Sequence, residues 1–202
     1  MIKEKCIGSY VEAIEAQRLG ANRVELCDNL EEGGTTPSYG TIKMVVRDLT
    51  IPVFVIIRPR GGDFYYTKEE IEIMKEDIRI CKELGVDGVV LGALTCDNKI
   101  DYEVVKELVN LAKPMSVTFH KAIDELKNPV DEVKKLASLG VDRILSSGTK
   151  KTALEGKEIL NEMIKEAQDR IIIVVAGQVT KDNFLEVSSN IPSKEYHGKK
   201  IV

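Results

Sequence analysis

Along the chain, short runs of β-branched and aliphatic residues alternate with longer stretches whose apolar residues recur every three or four positions. The first kind reads as buried strand, the second as amphipathic helix. Pro52-Val53-Phe54-Val55-Ile56-Ile57 exemplifies the strands, and Ile71, Met74, Ile78 and Cys81 mark one face of a helix. One phrase that joins the two kinds recurs: Leu19-Gly20-Ala21-Asn22-Arg23-Val24-Glu25-Leu26, then Leu84-Gly85-Val86-Asp87-Gly88-Val89-Val90-Leu91, then Leu139-Gly140-Val141-Asp142-Arg143-Ile144-Leu145-Ser146. In each copy Gly follows the last apolar helical position, where a left-handed C-cap is wanted, and a new apolar run starts after a short polar connection.

Counting such units places strands near 2–7, 23–27, 52–58, 87–91, 115–120, 142–146, 170–176 and 194–197, with helices after the first seven. Ser9 with Glu12 and Thr67 with Glu70 match the capping box, and Asn128-Pro129 offers an N-cap followed by Pro at the first helical position. A period of roughly thirty residues is that of a (β/α)₈ barrel, so residues 1–202 read as one TIM-barrel domain. A doubly wound open sheet fits less well, because no GxGxxG follows the first strand. After Glu195-Tyr196-His197 only Gly198 to Val202 remain, too few for an eighth helix. The outer flank of strands eight and one is therefore expected to be uncovered. A homodimer is the expected cover, with the tail folding back as the alternative.

Composition narrows the partners. With 43% hydrophobic residues, 31% charged residues and a net charge of -4, the chain has material for a core but no basic patch for nucleic acid and no polybasic membrane anchor. No apolar run approaches the ~18 residues of a membrane span, and the N-terminus already reads as strand, so a cytoplasmic location is expected. The four cysteines, Cys6, Cys27, Cys81 and Cys96, show no CxxC spacing and read as reduced thiols. A metal ion or a small molecule is the favoured partner.

Strand parity points to where chemistry would sit. If Val24 and Leu26 face the helices, Glu25 and Cys27 face the barrel interior. The same rule turns Ser116, Thr118 and His120 inward and puts Arg58 on the face of Phe54 and Ile56. Polar ends thus converge on one mouth: Glu25, Cys27 and Asp28; Arg58 and Arg60; Thr118, His120 and Asp124; Ser146, Ser147 and Gly148; and His197. Arg58 and Arg60, in Arg58-Pro59-Arg60-Gly61-Gly62, read as an anion site or as structural ion pairs. Ser147, Gly148 and Gly177 could add backbone N–H groups for phosphate. His120, with an ordinary pKa near 6.5, is the candidate acid/base, and Glu25 its partner. The long Glu31 to Pro37 connection is a candidate lid.

Glu-x-Cys occurs twice, at Glu4-Lys5-Cys6 and Glu25-Leu26-Cys27, on neighbouring strands. Two thiols there could share a soft metal such as Cu(I), although alternate strands fill alternate layers and two packed core cysteines are the competing reading. Cys96, in a loop, is a weaker third candidate, and Cys81 reads as core.

These segments together make the chain resemble the CutC family. The resemblance rests on Arg23-Val24-Glu25-Leu26-Cys27 leading to Glu32-Gly33-Gly34-Thr35-Thr36-Pro37-Ser38, on Ile57-Arg58-Pro59-Arg60-Gly61-Gly62-Asp63-Phe64, on Met74-Lys75-Glu76-Asp77-Ile78, on Thr118-Phe119-His120, and on Arg143-Ile144-Leu145 with Ser147-Gly148. It implies a cytoplasmic TIM barrel of copper homeostasis that binds copper. Ala176-Gly177-Gln178-Val179 stands where that family usually has three glycines, and His197-Gly198-Lys199 replaces a His-x-Ser pattern. Lys121 stands where Arg is usual. Two functions follow as expectations: a Cu(I)-binding protein using Cys6 and Cys27, or an enzyme on a small anionic or phosphorylated metabolite using Arg58, Arg60, His120 and Glu25.

Overall fold

The computed structural model describes residues 1–202. Eight parallel strands, β1 (Ile2–Ile7), β2 (Arg23–Leu26), β3 (Val53–Ile56), β4 (Gly88–Leu91), β5 (Ser116–Phe119), β6 (Arg143–Ser146), β7 (Ile172–Val175) and β8 (Glu195–Gly198), follow one another around a closed barrel. Seven helices cover it: α1 (Tyr10–Arg18), α2 (Tyr39–Asp48), α3 (Lys68–Glu83), α4 (Tyr102–Ala112), α5 (Val133–Ser138), α6 (Lys157–Ala167) and α7 (Phe184–Asn190). This is the (β/α)₈ barrel that the repeated phrase implies, without a helix after β8. No helix is long and apolar enough to cross a membrane.

Helix starts follow their local signals unevenly. Thr67 and Glu70 form the complete reciprocal capping box. Ser9 accepts from the Glu12 N–H, but the Glu12 carboxylate accepts from Gly8 rather than from Ser9. Asn128 makes no capping hydrogen bond, and a 3₁₀ turn over Pro129–Glu132 precedes the short α5.

Between strands and helices lies a continuous apolar layer that includes Val24, Leu26, Val117, Phe119 and the side chain of Cys81. The flank of β8 and β1 is covered from within the chain. Tyr196 is fully buried against Phe184 of α7, ring centroids 5.1 Å apart, and Ile201 from the tail joins the same core. The outward positions Lys3 and Lys5 of β1 are only partly buried, and the Lys3 ammonium sits 4.4 Å from the Phe184 ring centroid. The outward side of β8 is thereby shielded from within the chain, while Leu185 on α7 and Val11 on α1 stay exposed.

The barrel interior is not apolar. Glu4 stands level with Arg23 on one side and with His197 on the other, and Cys6 stands level with Glu25. Arg23 donates to both Glu4 and Glu195. Arg143 donates to Glu195 at 2.9 Å and to the Ser116 hydroxyl at 2.9 Å. The ring of Phe54 lies between the two guanidiniums, 4.5 Å from that of Arg23 and 5.2 Å from that of Arg143. All four charged residues except Arg143 are buried to within 5% of full burial. Such a network is tolerable only because every charge meets an opposite one, since desolvating an unpaired ion costs several kcal/mol.

Two outcomes follow. Glu195→Ala removes the carboxylate shared by Arg23 and Arg143 and should destabilise the fold by about 3–5 kcal/mol in urea unfolding; a loss below about 1 kcal/mol would show that the guanidiniums find other partners. Burial pushes the Glu4 carboxyl up, but Arg23 and His197 overcome this and hold it at about 2. A depressed carboxyl contributes its stability in full above its ordinary value of 4.5 and loses it as pH falls through about 2. The acid limb of a stability profile should therefore fall between those values, and Glu4→Gln should flatten it.

Candidate functional site

At the C-terminal end of the barrel a cavity of about 210 Å³ opens above this charged interior. Cys6 and Cys27 form its floor, with their sulfurs 3.9 Å apart. Cys27 is one inward step above Glu25, the residue level with Cys6, so the two thiols do stand at different heights. Their side chains lean across that step. A ligand oxygen of Glu25 and both sulfurs lie within 4.8 Å of one another, all buried. Cys81 is enclosed in α3, where burial pushes its thiol up to about 12, and Cys96 is exposed in the loop after β4. Neither lines the cavity.

His197 ties this group to the interior below. Its Nδ1 lies 2.8 Å from Glu4 and its Nε2 lies 3.6 Å from Glu25. Burial disfavours the imidazolium, yet Glu25, Cys6 and Glu4 around it hold the pKa well above the ordinary value. Burial pushes the Glu25 carboxyl up to about 8 against the opposing pull of His197. The Cys27 thiol, donating to Cys6, draws the Cys6 pKa well below its ordinary value despite burial, and the same bond raises Cys27. The arrangement thus packs into one pocket two sulfurs of unlike acidity, an imidazole biased toward its charged form and a carboxyl that holds its proton near neutrality.

His120 lies across the cavity. Gly92 makes room for it: a Cβ there would stand 2.7 Å from the imidazole. The Nδ1 accepts from the Ala122 N–H at 3.2 Å, which leaves the proton on Nε2, and Nε2 has no partner. The ring lies tilted against Phe64, centroids 4.7 Å apart, and burial together with nearby Arg58 pushes its pKa down to about 3. His120 is therefore a neutral N–H donor at physiological pH, not the group titrating near 6.5 that exposure at a strand end suggested.

The arginines are spent within the fold. Arg58 donates from Nη1 to the carbonyls of Glu32 at 2.7 Å and Gly34 at 2.9 Å, and from Nη2 to that of Gly62 at 2.6 Å. It borders the cavity but clamps the Glu31 to Pro37 loop, so that segment is a tied-down wall, with Leu30 and Gly33 facing inward. Arg60 turns outside, to Glu70 at 2.6 Å and Asp63 at 3.0 Å, and does not line the cavity. Strand parity ends with the strand, and the capping carboxylate of α3 captures the second guanidinium.

The loop after β6 is likewise occupied. Inward positions of β6 are Arg143 and Leu145, which turns Ser146 away from the mouth. The Asp124 carboxylate accepts from the Ser146 hydroxyl at 2.6 Å and from the N–H groups of Ser147 and Thr149 at 3.0 Å each. An internal anion fills the cradle that Ser147 and Gly148 seemed to offer. Gly148 serves close packing, since a Cβ would meet the Gly156 carbonyl at 2.3 Å. Gly177, at φ +101°, packs against Ser147 and Ala153 with no room for a side chain.

Of the residues that parity assigns to one mouth, Glu25, Cys27, Arg58, His120 and His197 do meet there, together with Cys6, whereas Arg60 and Ser146 do not. Sequence reasoning had not singled out Glu4, Arg23, Arg143 or Glu195. Their signal was the same parity, since Arg23 and Glu25, like Glu4 and Cys6, are two residues apart and share a face. A titration of His120 by NMR should show a neutral Nε2–H ring throughout the range above about pH 4; a midpoint near 6.5 would mean that Nδ1 is not held by Ala122.

Comparison with known proteins accords with this geometry. Residues 1–202 match the model of the CutC family. A copper homeostasis protein cutC homolog of Homo sapiens is 44% identical over 196 residues, spanning 97% of this chain and 72% of its own length. A CutC family protein of Parabacteroides distasonis is 46% identical over 198 residues, with 97% and 81% covered. The crystal structure of CutC from Streptococcus agalactiae superposes with a TM-score of 0.94 at 36% identity, covering both chains in full. The chain belongs to the CutC family.

Proposed function

We propose that this protein binds Cu(I) through Cys6 and Cys27 and serves copper homeostasis, the role named for its relatives. The observation that carries the reading is the sulfur pair, 3.9 Å apart on the floor of an open cavity. Metal–thiolate bonds run near 2.3 Å for zinc, so two sulfurs sharing an ion at a trigonal or tetrahedral angle stand roughly 3.8–4.0 Å apart. The donor set fits a soft ion. Thiolates select Cu(I) or zinc over hard cations, and Glu25 or His197 is near enough to complete a third position.

The second reading, an enzyme that receives an anion on Arg58 and Arg60 and uses His120 as acid/base, has weaker support. The Nη groups of Arg58 are taken by carbonyls and Arg60 by carboxylates, so that only the buried Nε–H of Arg58 is without a partner, and His120 is held neutral.

Under reducing conditions, titration with Cu(I) against a competing chelator should show one ion per chain. Cys6→Ser and Cys27→Ser should each weaken binding about a hundredfold or more, whereas Cys81→Ser should leave it unchanged. Undiminished stoichiometry in the Cys6→Ser, Cys27→Ser double variant would remove the reading.

A further inference from the structure

We propose that a second site, for a phosphate-bearing small molecule, lies beside the sulfur pair, between the loops that follow β6, β7 and β8. A cavity of about 440 Å³ occupies this position. Its lining holds Lys121, Lys151, Lys199 and Lys200 and not one Asp or Glu. In a chain with 33 acidic and 29 basic residues, an all-cationic hollow runs against composition. Like charges gathered around a concavity repel one another unless an anion sits among them.

These lysines are less committed than the arginines. Lys151 and Lys200 make no ion pair, Lys199 reaches only the Leu30 carbonyl at 3.5 Å, and Lys121 lies 3.8 Å from an Asp124 already engaged by the loop after β6. The backbone adds donors. The N–H groups of Gly177, Gln178 and Val179 have no protein acceptor, and Gly177 and Gln178 both have positive φ, +101° and +54°. Consecutive free N–H groups in a turn of this kind form anion-binding concavities. All the free side-chain cations are ammonium groups. A planar carboxylate is best matched by the guanidinium fork, whereas point charges from several directions suit a tetrahedral dianion.

An independent observation marks a ligand at the other end. The lysine cavity shares Cys6, Lys121, His197 and Lys199 with the first cavity, where the buried Nε2–H of His120 is without a partner. A buried donor left unmatched is costly, and a bound polar group would satisfy it. A molecule with its phosphate among the lysines extends toward His120. This site is separate from the copper reading, because it needs neither thiol.

The test is calorimetric titration of the metal-free full chain with inorganic phosphate and with glycerol phosphate. Saturable binding of both is expected, weakening as salt is raised. Lys151 and Lys200 are exposed, so Lys151→Glu and Lys200→Glu should fold normally, and each should weaken binding tenfold or more. Lys165→Glu on α6 should not. Cys27→Ser, at a residue that does not line the lysine cavity, should weaken Cu(I) binding about a hundredfold or more while leaving phosphate affinity intact, which separates the two readings. Absence of saturable binding at millimolar phosphate, or equal affinity in the Lys151→Glu, Lys200→Glu and Lys165→Glu variants, would overturn the proposal.

Discussion

The pairing of Arg23 with Glu4 and Glu195 inside the barrel is the constraint on which the remaining interior depends. A (β/α)₈ interior is ordinarily filled by branched apolar side chains. Here a guanidinium takes that space, and it is held by two carboxylates, one from the neighbouring β1 and one from β8 beyond it. Glu4 then has one oxygen left for His197, His197 has one nitrogen left for Glu25, and Glu25 stands against Cys6. Each partner fixes the orientation of the next. The thiol pair at the mouth therefore rests on a column of charge rather than on an apolar floor, and the protonation of the upper members is set by the members below.

Charges at the mouth divide into those that build the loops and those left over. Arg58 binds three loop carbonyls, Arg60 binds the capping carboxylate of α3, and Asp124 fills the turn after β6. These contacts close the loops over the strand ends and make the walls rigid. What remains uncommitted at the mouth is limited: the imidazole Nε2–H of His120, the Nε–H of Arg58, the ammonium groups of Lys151 and Lys200 and a short run of backbone N–H groups, beside a sulfur pair bonded only to itself. Functional capacity resides in that remainder, because a group already matched within the fold has little left to offer a ligand.

The closure of the β8–β1 flank follows the same economy. Phe184 packs edge-on against Tyr196, Ile201 joins the same core, and lysines occupy the outward positions of β1. An aromatic edge contact suffices to bury this strand's outer face because only one outward side chain of β8, Tyr196, is large and apolar.

Periodicity and turn chemistry alone specify the barrel, since glycine after each helix and a β-branched run beyond it are local consequences of backbone sterics. Parity alone places Glu25, Cys27, Thr118 and His120 inward and would equally have placed Glu4 and Arg23, because side chains alternate along any strand. What tertiary structure decided is which polar groups are already used. Arg58, Arg60 and the Ser147–Gly148 turn look alike as anion receivers in sequence, but their partners, Glu32, Glu70 and Asp124, are separated from them by ten to twenty-six residues and meet them only when the loops close. The same holds for His120, whose ordinary pKa is a property of exposed imidazole and whose low value comes from burial beside Phe64 and Arg58. Hydrogen-bond satisfaction and desolvation are non-local quantities, so only the folded chain determines them.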